Sequence, residues 1–137
     1  MAMKSLAINF DKKQLVAAGA CAVVVSCLRR HKTNAGVTKE GLGAMRDLAG
    51  NAEAEKQFIA AGACAVVMSC LHRHEKHADV TRRGLEAMMG LARSHKVKQK
   101  FISGGAVDLI DAAMNRHPGC SGVQKSGSSV LSYLQAA

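Results

Sequence analysis

The octapeptide AAGACAVV occupies residues 17–24 and recurs letter for letter at 60–67, 43 positions further on. A fixed internal period constrains the fold more than any composition does. Each copy must form the same supersecondary unit and bury its apolar face against a neighbour. Sliding the sequence by 43 matches residues 15–57 to 58–100 at 22 of 43 positions. A third, more diverged copy begins at 101, where FISGGAVDLIDAAMNRH stands against FIAAGACAVVMSCLHRH. Its landmarks hold: Gly19, Gly62 and Gly105 align, as do Leu28, Leu71 and Met114, then His31, His74 and His117. Further on come Val37, Val80 and Val123; Gly41, Gly84 and Gly127; Leu48, Leu91 and Leu134.

Each unit reads as three helical segments. In the second copy, NAEAEKQFIAAG (51–62) forms a short helix that stops at Gly62, since glycine accepts the left-handed conformation at a helix end. ACAVVMSCLHRH (63–74) follows, with Cys64, Val67, Cys70 and Leu71 on one face. After a polar loop, EKHAD, the segment VTRRGLEAMMGLARS (80–94) places Val80, Gly84, Leu85, Met88 and Leu91 on one stripe. One short and two longer helices per unit, at a period in the forties, match the armadillo and HEAT class of helical array.

The residues sharpen that choice. GACAVVVSCLRRH, GACAVVMSCLHRH and GAVDLIDAAMNRH resemble the glycine-led second helix of armadillo repeats. NAEAEKQFIAAG resembles the first helix, and VTKEGLGAMRDLAGN, VTRRGLEAMMGLARS and VQKSGSSVLSYLQA resemble the third. The resemblance covers about residues 5–137 and implies an all-α, right-handed α-solenoid with three helices per repeat. It divides the chain into 1–14 (the end of a preceding repeat plus a first helix), 15–57, 58–100 and 101–137, all one domain. Leu6-Ala7 resembles Leu48-Ala49 and Leu91-Ala92, the close of a third helix, and INFDKKQ (8–14) stands where a first helix belongs. Neither end shows an evident polar capping repeat, so a window from a longer array, or a unit that joins end to end, is expected.

Candidate chemistry is sparse. Cys21 and Cys64 are equivalents, as are Cys27 and Cys70, and the third copy has Val107 and Ala113 there. Exchange with Val and Ala points to small core residues rather than redox or metal duty. Cys70, His72, His74 and His77 cluster within eight residues, yet no second ligand pair accompanies them. The His31, His74 and His117 series fits a structural role at helix ends. Asp108 and Asp111 share a helix, and Asp108 falls in its first turn, where a carboxylate suits the dipole. No phosphate-binding loop, GxGxxG, GxSxG or HExxH occurs, so neither an enzyme nor a cofactor or metal is expected. No apolar run approaches the roughly 18–20 residues that span a bilayer. Five cysteines without CxxC or a secretory signal point to an intracellular, cytoplasmic setting, with the nucleus open.

The surface remains. Net charge is +9, and the excess lies entirely before residue 101. In armadillo arrays the third helices line a concave groove for extended peptides, often through a Trp and an Asn one turn apart. Here the matching positions hold Gly43 and Asp47, Glu86 and Gly90, and Ser129 and Tyr133, so that ladder is missing. A groove for basic import signals is thereby disfavoured. One turn earlier stand Lys39, Arg82 and Lys125, 43 residues apart, with Arg46 and Arg93 nearby. This cationic series predicts a protein-interaction scaffold whose third-helix groove receives an acidic or extended protein segment. Two alternatives stay open: self-association through uncapped repeat ends, and non-specific nucleic-acid binding. The latter is disfavoured by the scarcity of aromatic stacking residues, which are Phe10, Phe58, Phe101 and Tyr133 alone.

Overall fold

The computed structural model describes residues 12–136, and these residues form helices and turns without a strand. Nine helices follow one another among them: α1 (Lys12–Ala17), α2 (Ala20–Arg30), α3 (Ala35–Leu48), α4 (Ala52–Ala60), α5 (Ala63–Arg73), α6 (Ala78–Leu91), α7 (His95–Ser103), α8 (Ala106–Arg116) and α9 (Ser121–Gln135). Leu6-Ala7, Phe10 and the first part of the expected helix 8–14 lie outside the described residues; α1 covers its remainder.

The recurring corner is a backbone requirement. Gly19, Gly62 and Gly105 sit between a first and a second helix at φ +89°, +80° and +89°. That left-handed region strains any residue with a Cβ, so the chain repeats a glycine wherever it repeats the turn. The third-helix boundaries differ from expectation. α6 begins at Ala78, two residues early, because Ala78 and Asp79 of the expected loop form its first turn, where the carboxylate favours the helix N-terminus. It stops at Leu91 rather than 94, because Ser94 already caps α7, accepting from the Val97 N–H at 3.3 Å.

The packing follows the copies. α3 packs on α6 and α6 on α9; α2 packs on α5 and α5 on α8. Within each copy the second helix lies on the third, α2 on α3, α5 on α6 and α8 on α9. The aligned glycines make that approach possible. A Cβ on Gly41 would stand 2.6 Å from Leu28 Cδ2, on Gly84 2.5 Å from Leu71 Cδ2, and on Gly127 2.6 Å from Met114 Cγ. The two landmark series read in the sequence are thus two sides of one contact. Phe58, Phe101, Leu42, Met45, Leu85, Met88 and Ile110 fill the core. Of the paired cysteines, Cys21 and Cys70 are buried, while Cys27 and Cys64 are only half-buried. Burial pushes the Cys21 and Cys70 thiols up to about 11, the direction expected of a sulfur surrounded by aliphatic atoms. Among the described residues no single helix is long and apolar enough to cross a membrane; α4 and α5 meet that test only together, across a 70° bend.

Candidate functional site

The histidine series ties the copies together. His74 Nε2 lies 2.7 Å from the Lys32 carbonyl oxygen, and His117 Nε2 lies 2.6 Å from that of Glu75. A carbonyl only accepts, so Nε2 carries the proton and donates in both cases. Each acceptor is the residue that follows the previous copy's own histidine. Thr38 Oγ1 adds a longer contact to His74 Nε2 at 3.4 Å. His31, the equivalent in the first copy, is exposed. Arg116 Nη2 reaches Glu75 Oε1 at 3.3 Å beside the His117 contact. With His74 held by a backbone oxygen, no three His, Cys, Asp or Glu side chains among the described residues converge in a metal-binding arrangement.

Because α3, α6 and α9 pack in succession, equivalent third-helix positions face one another across two junctions. At the first junction the space is filled by charge. Arg46 Nη1 meets Glu86 Oε1 at 3.0 Å, and its Nη2 meets Asp47 Oδ1 at 3.0 Å. Arg82 Nη1 takes the other Glu86 oxygen at 3.4 Å. The Arg83 guanidinium lies over Gly43, where an added Cβ would stand 2.8 Å from Nη1. Asp47 Oδ2 and Arg83 Nε are buried without hydrogen-bond partners among the described residues, on side chains that belong to this same junction. Only 6% of the Asp47 side chain is exposed, so it offers little to a ligand.

The second junction is different. Between α6 and α9 lies a groove of about 430 Å³ with Leu85, Met89 and Val130 along its floor. Arg46, Glu86 and Lys125 stand at its rim, with Ser126, Ser129 and Gly90 completing the walls. The equivalents explain the opening. Ser126 stands where Arg83 does one copy earlier, Ser129 where Glu86 does, and Met89 where Arg46 does. Three long charged side chains are replaced by two hydroxyls and a thioether.

The expected cationic series is therefore unequal. Lys125 is exposed and has no ion-pair partner among the described residues, whereas Arg82 and Arg46 share Glu86. Lys39 is half-buried beside Lys76 and Asp79 at the start of α6. Arg93 is exposed and lends its carbonyl to the Tyr133 hydroxyl at 3.3 Å. Lys98 sits 4.0 Å from the centre of the Tyr133 ring, a cation–π contact. The sequence places Leu85 only on the apolar stripe of its helix, and Met89, Arg83, Ser126 and Val130 are not among its candidate residues. Their signal was present, since Arg83 and Ser126 are one period apart and change from a long cation to a small hydroxyl. The chain matches no family model, no curated protein and no solved structure.

Proposed function

We propose that the chain is an armadillo-type, right-handed α-solenoid that acts as a non-enzymatic protein-interaction scaffold. Its third-helix face receives an acidic or extended protein segment. One observation carries the reading: Lys39, Arg82 and Lys125 recur at one position of three third helices that pack in succession, in a chain of net charge +9. An extended segment running across α3, α6 and α9 meets a cation on each, exposed at Lys125 and half-buried at Lys39 and Arg82, and an exposed pair contributes about 0–1 kcal/mol. An intracellular, cytoplasmic setting accompanies this reading, in keeping with five free thiols.

The test is fluorescence anisotropy with a labelled twelve-residue Glu/Gly peptide and, in parallel, a single-stranded oligonucleotide of similar charge. The wild type is expected to bind the peptide, and the Lys39→Glu, Arg82→Glu, Lys125→Glu variant of unchanged helicity to lose it. Preference for the oligonucleotide, with a steep salt slope and indifference to which three cations are reversed, would establish nucleic-acid binding instead.

A second reading, self-association through the first copy, draws on a different observation. Val23 on α2 is 60% exposed, while the equivalent Val66 on α5 is 8% exposed because the first copy covers it. Val23 borders an apolar groove with Val24, Cys27, Val37 and Ala44.

A further inference from the structure

We infer that the groove between α6 and α9 is a specificity pocket that selects one aliphatic side chain within an acidic extended peptide. The inference rests on the peptide-binding reading of the third-helix face and adds which residue is chosen and where. Two junctions of the same architecture differ in what fills them. Arg83 and the Arg46–Glu86 ion pair close the first, and Ser126, Met89 and Ser129 at the equivalent positions leave the second open.

The opening has a chemical character. Leu85, Met89 and Val130 make its floor aliphatic, and Met89 adapts its unbranched chain to the shape of what enters. No aromatic ring is among the residues that line it, so stacking is not what it offers. The Ser126 and Ser129 hydroxyls along the wall donate to and accept from peptide backbone. The rim supplies the sign of the partner. Both oxygens of Glu86 are taken by Arg46 and Arg82, so the carboxylate at the rim is neutralised and Lys125 is left to meet a ligand carboxylate. A Leu-sized side chain flanked by Asp or Glu complements floor and rim together.

The experiment compares two acidic peptides, identical apart from a central Leu or Ala, by anisotropy against the full chain. The wild type is expected to bind the Leu peptide about tenfold more tightly, the effect of partial burial of an isobutyl group. Ser126→Arg with Ser129→Glu rebuilds the filled junction at unchanged net charge and is expected to reduce the Leu/Ala ratio to within twofold. Met89→Arg, which fills the groove from the α6 side, is expected to do the same, and protects the test should the double variant fold poorly. Equal binding of both peptides by the wild type overturns the pocket while leaving the acidic-segment reading intact. A Leu preference that survives both fillings also overturns it. Failure of the wild type to bind either peptide removes the acidic-segment reading and the pocket with it.

Discussion

His117 and His31 occupy the same place in their copies but face different surroundings. The imidazole of His117 donates to a backbone oxygen at 2.6 Å and is half-buried, whereas His31 is exposed. A hydrogen bond of this kind contributes on the order of 1 kcal/mol net, and leaving its acceptor unsatisfied adds to the loss. His117→Ala is therefore expected to lower unfolding stability by about 1–2 kcal/mol in urea denaturation. His31→Ala should change it by less than about 0.5 kcal/mol, the usual range for an exposed surface position. Equal effects would mean that the copy-to-copy bond is not what the histidine contributes. The recurrence of these residues was legible in the sequence, but their partner was not. The acceptor is main chain, and a carbonyl on Lys32 or Glu75 leaves no mark on residue identity.

Among the elements, the contact between second and third helices is the one most sensitive to a single atom. On Gly84 a Cβ would press to 2.5 Å on Leu71 Cδ2 and 2.9 Å on its Cγ, so the buried Leu71 side chain or the spacing of α5 and α6 would have to shift. Gly84→Ala is expected to cost about 1–3 kcal/mol by this overpacking, against the gain in helix propensity. Combining it with Leu71→Ala should cost less than the two single changes added together, because the truncated side chain vacates the clashing space. Thermal or chemical denaturation of the four proteins tests this, and simple additivity would exclude the clash. Helix existence was readable from glycine corners and apolar spacing. Helix ends were not, because Ala78 and Asp79 look like loop until the carboxylate is placed in a first turn. The candidate site was only half legible. Lys39, Arg82 and Lys125 are visible as a period, and Arg82 and Glu86 stand at i,i+4 spacing, but the second claim on Glu86, by Arg46, depends on where α3 lies against α6.

For the molecule as a whole, the two extreme copies present unlike faces. The third copy exposes Asp111 and Ser128 where the earlier copies place Val25 and Met68, and Leu42 and Leu85. Leu85 lines the junction with α9, so Ser128 occupies the side of α9 that would meet a following copy. Direct head-to-tail stacking of two chains would set this polar side against the apolar groove around Val23, a poor match. Asp111→Val with Ser128→Leu restores the side chains of the first copy and is expected to make apparent mass rise with concentration in sedimentation velocity, with no such rise from this contact in the wild type. Concentration-independent mass in the variant would show that apolar character on this side is not enough to drive stacking.

The histidine tie also bears on how a chain of this kind changes length over generations. Its donor travels with every copy, and its acceptor is a main-chain oxygen that Lys32 and Glu75 supply equally well. A duplicated 43-residue unit arrives with its own hook and finds an eye already present on the unit before it. No second mutation is needed to fasten it. The neighbouring position offers its carbonyl whether it is Lys32 or Glu75, although only Glu75 adds an ion pair with Arg116.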